Sequence, residues 1–123
     1  FAIALNNKAW ALFKSGRASL GLPDVERSLS LSPGSAHAYD TRAHIRQSLG
    51  NAAGAIADYE MAMRFGGERM IRLYQCGLQA NGLFDGRIDG LYTRPMREAL
   101  EACIKNNACD PLPADEECRA TPS

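Results

Sequence analysis

Four cysteines, two histidines and a pair of glycine-flanked aspartates are the side chains most capable of chemistry. Cys76, Cys103, Cys109 and Cys118 all lie in the last third, and the first 75 residues hold none. An even number of cysteines gathered in the least core-rich region points to two disulfides and an oxidising compartment. The alternative is four reduced thiols in a reducing one. Disulfides are favoured because Asp110-Pro111-Leu112-Pro113-Ala114-Asp115, between Cys109 and Cys118, is too polar and proline-broken to pack by itself. Of the three pairings that four cysteines allow, the expected one is Cys76–Cys103 joining two C-terminal helices, with Cys109–Cys118 closing the tail. Zinc is the weaker option: there is no CxxC pair, and His37 and His44 are remote from the cysteines.

Asp85 and Asp89 sit among glycines, as calcium ligands often do. A calcium-loop register begun at Asp85 places Arg87 and Met96 at ligand positions, so calcium fails and no metal is expected. Asp89 is better read as a turn residue accepting backbone N–H groups. No HExxH, GxSxG, P-loop or GxGxxG pattern is present. A cysteine–histidine pair would need long-range folding to form. The chain is expected to be non-catalytic and to need no cofactor.

The bulk numbers narrow the partners. Fourteen basic and fourteen acidic residues cancel over 123 positions, which argues against nucleic-acid binding. No stretch approaches the roughly 18 to 20 apolar residues that span a bilayer. The start at Phe1, without Met, reads as that of an excised or processed chain. A hydrophobic content of 46% supplies a normal core.

The elements that must position these residues show a repeat. Gly16 aligned with Gly50 brings Ala9 over Ala43, Trp10 over His44, Val25 over Tyr59 and Leu29 over Met63. Each unit reads as helix, glycine turn, helix. The first closes at Ser32-Pro33-Gly34 and the second at Gly66-Gly67. Ala55, Ile56, Tyr59, Ala62 and Met63 form one apolar stripe at helical spacing, and small residues at 9, 43, 55 and 62 permit close helix approach. The expected fold class is all-α, with four antiparallel helices over the first half.

This pattern resembles the tetratricopeptide repeat family, whose unit is about 34 residues long. Tyr39, Ala43, Gly50, Ala55, Tyr59 and Ala62 carry the resemblance in the second unit; Ala9, Gly16 and Pro33 carry it in the first. Leu5, Gly21, Val25 and Ser28 depart from the pattern in the first unit, Gly67 stands where the second unit's proline belongs, and Pro23 is tolerable only in a first helical turn. The resemblance implies a right-handed superhelix of hairpins over residues 1–67. It also implies a concave partner-binding face at Asn6, Trp10, Phe13, Tyr39, Asp40, His44 and Gln47, suited to an extended peptide or a helix. Two repeats rarely bury a continuous core, so residues 68–123 are expected to cap them.

In that second region the sequence predicts a fifth helix over 68–80, with Met70, Ile71, Leu73, Tyr74 and Leu78 apolar. A glycine-rich double turn follows over 81–90, and then a sixth helix capped by Thr93 with Pro95 in its first turn. Beyond Lys105 an irregular chain is expected. Gly82, Phe84, Gly86, Ile88, Asp89, Gly90 and Tyr92 resemble the loop of the small peptidoglycan-binding-like helical domain found beside bacterial cell-wall enzymes. Thr93, Arg94 and Met96 depart from that family's usual Gly, Pro and Thr. The resemblance implies wall contact at Phe84, Asp85, Arg87, Asp89 and Tyr92.

The preferred reading is a protein-interaction or scaffold module of a bacterial periplasmic or secreted protein. A peptidoglycan-binding module is the first alternative, and an accessory region of a larger cell-envelope hydrolase the second.

Overall fold

The computed structural model describes residues 1–106 and 108–113. Among these there are five helices and no strand: α1 (Ala2–Lys14), α2 (Ala18–Leu31), α3 (Ala36–Ser48), α4 (Ala52–Ala80) and α5 (Arg94–Ile104). The chain forms two compact units, Phe1–Phe65 and Gly66–Ser123; the sequence placed this division at 67/68.

In the first unit the repeat is written into the backbone. Helix α3 begins and ends 34 positions after α1, Ala2 to Ala36 and Lys14 to Ser48. Both helices stop the same way. Gly16 and Gly50 each take φ of 81°, the left-handed conformation that glycine adopts without steric cost. Gly16 N–H donates to Phe13 O at 3.1 Å and Arg17 N–H to Leu12 O at 2.8 Å; Gly50 N–H to Gln47 O and Asn51 N–H to Arg46 O repeat those distances. Two orphan carbonyls at each helix end are thereby satisfied.

The core of this unit is Ala9, Val25, Leu29, Ala38 and Ile45, with Phe13, Leu22 and Tyr39 against it. Gly21 marks the closest approach: a Cβ there would lie 2.9 Å from Ala9 O and 3.2 Å from Ile45 Cδ1. Helices α1 and α2 are drawn together over that bare backbone. Pro23 falls in the second turn of α2, not the first. The bond it forfeits is the one to Ser19 O, and both residues lie on the exposed side, where a missing helical bond costs least.

The expected stop at Gly66-Gly67 is a break without a loop. Gly67 takes φ 66° and ψ −154° inside α4, and helical bonding resumes at once. The predicted fifth helix is therefore the second half of α4. In the second unit Met70, Tyr74, Leu78, Met96, Leu100 and Ile104 are buried. Thr93 occupies the N-cap of α5 but its side chain makes no capping bond.

The disulfide pairing differs from the expected one. Cys103 bonds Cys109, with Cα atoms 5.3 Å apart. Neither Cys76–Cys103 nor Cys109–Cys118 can therefore form, although Cys76 is itself disulfide-bonded; Cys118 lies outside the described residues. The reason is local. Past α5 the chain makes two successive turns, Asn106 N–H to Cys103 O and Cys109 N–H to Asn106 O, both 3.0 Å. Those turns return Cys109 to the end of the helix it has just left.

Candidate functional site

Two surfaces answer to the residues singled out by sequence, one in each unit. In the first, α1 carries Asn6, Trp10 and Phe13 at i, i+4 and i+7, which places them on one face. All three are half-buried. Trp10 lies 5.2 Å from Phe13 and meets the His44 ring edge-on at 5.1 Å. Phe13 and Tyr59 approach the same imidazole at 5.6 and 5.3 Å. The histidine is thus wedged among three aromatic rings in edge-to-face geometry. Its Nδ1 is 2.8 Å from Asp40 O; a carbonyl can only accept, so Nδ1 carries the proton.

The polar wall expected on this face is packed instead. Asp40, His44 and Gln47 are only 6, 3 and 6% exposed, and Gln47 Oε1 accepts the Tyr59 hydroxyl at 2.6 Å. These side chains hold the floor rigid from beneath and offer little surface to a partner. Tyr39 does not join the group. Five residues before His44, it points about 140° away around α3, stacks on Phe65 at 5.7 Å, and has Arg42 over its ring. What remains accessible is a short strip: Asn6, Trp10 and Phe13, with Lys14 Nζ over the indole at 5.7 Å. Asn6 Oδ1 is buried without a hydrogen-bond partner, an uncommon and costly state for an amide oxygen.

Behind this strip stands an ion cluster that sequence reading did not single out. Asp58, 2% exposed, receives Arg42 in a two-pronged bond (Nε to Oδ2 2.9 Å, Nη2 to Oδ1 3.0 Å) and Arg46 Nη1 at 2.9 Å. Two guanidinium groups on α3 clamp one carboxylate on α4. Burial alone would lower the Arg42 pKa, but its hydrogen bond and charge pairing with Asp58 prevail and raise it. A signal did exist. Lys8 and Asp24 occupy the corresponding places in the first hairpin, 34 positions earlier, and are ion-paired at 3.3 Å. Aligning charged as well as apolar positions would have found it.

In the second unit the loop between α4 and α5 is organised by Gln75, 1% exposed. Its Nε2 donates to Asp89 Oδ1 and to Leu91 O, and its Oε1 accepts Gly90 N–H, at 3.0 to 3.1 Å. One buried amide thereby satisfies three loop groups. Asp89 Oδ1 also accepts Leu91 N–H, the turn role read from sequence. The Asp89 carboxyl lies below its ordinary range, first through the Gln75 bond and then through Leu91. Phe84 is 9% exposed with its ring under Gly86, where a Cβ would meet Phe84 Cζ at 2.6 Å. Phe84 and Asp89 are therefore parts of the loop's framework. Asp85 and Arg87 are exposed and Tyr92 half-exposed. Tyr92 borders an open cleft of about 590 Å3 with Thr93, Arg94, Arg97, Glu98 and Glu101.

Among the described residues no group of three or more His, Cys, Asp or Glu side chains is placed to hold a metal ion, and no helix is long and apolar enough to cross a membrane. No family model, no curated protein and no solved structure matches the chain.

Proposed function

We propose that this chain is a non-catalytic protein-interaction module, built on two tetratricopeptide-like hairpins, of a bacterial periplasmic or secreted protein. The observation that carries the reading is the strip of Asn6, Trp10 and Phe13, half-exposed on a floor locked by His44 and Tyr59. A rigid aromatic anchor beside the partly exposed Asn6 side chain suits a peptide or helix that brings an apolar side chain to the rings. Recurrence of helix limits and turn bonds every 34 residues supports the repeat assignment. The Cys103–Cys109 disulfide supports an oxidising compartment.

Trp10 is the chain's single tryptophan, so its fluorescence reports directly on the strip. Peptides selected from a random display library against the whole chain should shift that emission on binding. They should lose affinity for Asn6→Leu and for Phe13→Ala. Selected peptides that bind these variants as tightly as the parent would end the proposal.

A second reading, peptidoglycan binding, is favoured by one observation: Arg87 and Asp85 stand exposed on a loop immobilised by Gln75, with Tyr92 beside a polar cleft. Contact then narrows to Asp85, Arg87 and Tyr92. Co-sedimentation with insoluble peptidoglycan tests it: the parent should pellet, and Arg87→Ala and Tyr92→Ala should stay in solution. A parent that remains in the supernatant removes this reading. An accessory role beside a hydrolase is compatible with either surface.

A further inference from the structure

The second unit contains a dipeptide whose chemistry runs without an enzyme. In Asn81-Gly82 the backbone nitrogen of Gly82 can attack Cγ of Asn81. The new N–Cγ bond closes a succinimide, the Cγ–Nδ2 bond breaks, and ammonia leaves. Water then opens the ring at either carbonyl, giving aspartate or isoaspartate. Glycine favours the reaction because no Cβ shields the attacking nitrogen and the backbone bends freely. Asn81 is exposed, so water has access.

Two sets of hydrogen bonds hold the reacting atoms apart. Gly82 N–H donates to Gln79 O at 3.0 Å in the turn that ends α4; the proton that must leave before attack is thereby engaged. Asn81 Nδ2 donates to Gly77 O at 2.7 Å and to Asp110 O at 2.9 Å. Swinging Cγ onto the Gly82 nitrogen requires releasing the amide from these acceptors.

The second acceptor belongs to a strap, residues 109–113, laid along the end of α4. Its start is fastened by the Cys103–Cys109 disulfide. Pro111 is fully buried, and a Cβ at Gly77 would overlap Pro111 O. The strap thus lies where α4 presents bare backbone, and Leu112 N–H to Asp110 Oδ1, 2.9 Å, fixes its turn.

We propose that Asn81-Gly82 is a latent deamidation site held shut by this strap, so that opening Cys103–Cys109 starts an irreversible conversion. The opening agent is a dithiol. Its thiolate attacks one sulfur to form a mixed disulfide; its second thiol then displaces the protein, leaving Cys103 and Cys109 as thiols and the reductant oxidised. The product carboxylate can only accept hydrogen bonds, and it would face the carbonyl oxygens of Gly77 and Asp110 that the amide had bonded. The strap cannot re-form its old contact. This inference is independent of either binding surface.

The test follows aspartate and isoaspartate at position 81 by peptide mapping of the full chain over time in mildly alkaline buffer. Native oxidised protein should convert at least about tenfold more slowly than the same chain unfolded in urea, as expected for a reaction gated by local opening. Cys103→Ser/Cys109→Ser, checked for helix content by circular dichroism, should convert several times faster than the parent. Gly77→Ala, which displaces the strap with the disulfide intact, should do the same and serves if the serine variant does not fold. Equal rates in native and unfolded parent would overturn the proposal, as would full protection of position 81 in Gly77→Ala or in a folded serine variant.

Discussion

The two hairpins of the first unit have the same backbone and different energetics. Ala9 and Ala43, Val25 and Tyr59, Leu29 and Met63 occupy equivalent buried places. The Lys8–Asp24 and Arg42–Asp58 ion pairs are equivalent too. Yet the side chains of Lys8 and Asp24 are 66 and 20% exposed, whereas those of Arg42 and Asp58 are 18 and 3% exposed. The second pair gains a third member in Arg46 and the first does not. A repeated position transmits geometry faithfully, but the depth at which neighbours bury it decides its weight. An ion pair at the surface is mostly solvated; the same pair enclosed is costly to leave half-made.

The largest expected effect breaks that asymmetry at its deep end. Asp58→Ala strands two guanidinium groups in a partly dry site and should cost about 3 kcal/mol in urea-induced unfolding of the first unit. Next, in the second unit, Gln75→Leu leaves Gly90 N–H and Leu91 O without their buried partner. It should cost about 2 kcal/mol and raise amide exchange across residues 88–91. If the hairpins share one turn geometry, Gly16→Ala and Gly50→Ala should each cost about 1 kcal/mol and match within error. Both have φ of 81° and open space for a Cβ, so unequal costs would mean the turns are not equivalent. Asp24→Ala, at the shallow end, should change stability by only about 0.5 kcal/mol and lose even that at high salt.

The acid response sharpens the contrast between loop and helices. The carboxyl of Asp89 is lower in the folded chain than in the unfolded one because Gln75 and Leu91 donate to it. Its contribution is therefore present above the ordinary carboxylate range and is lost as pH falls through the lowered folded value. Amide exchange at Leu91 should rise on acidification before that of α1 or α3, and Asp89→Asn should flatten the difference. A Leu91 amide that opens at the same pH as the helices would contradict the assignment.

How much of this was legible varies with the kind of contact. The hairpins were readable because helix packing repeats its demands. A glycine at 16 and again at 50, alanines at 9 and 43, and apolar residues at helical spacing each constrain the same small set of geometries. The turn role of Asp89 was equally local, since an aspartate two residues before its N–H donor needs no distant partner. Gln75 was passed over because a polar residue on an apolar helix face has no pattern until its loop is folded onto it. The cysteines misled for a related reason: spacing narrows the pairings, but the two turns after α5 decide which sulfurs meet.

Sequence alone determined that the fold is all-α and where its first hairpins turn, and it favoured disulfides over free thiols for its cysteines. Each of these rests on interactions within a few residues or on a pattern repeated along the chain. Only the tertiary structure decided that His44 and Gln47 lie inside an aromatic floor, that Asp58 binds two arginines where Asp24 binds one lysine, and that Gln75 anchors a loop 14 to 16 residues away. Burial sets the strength of every polar contact through the loss of competing water. It is a property of the assembled neighbours and not of the residue that carries the charge.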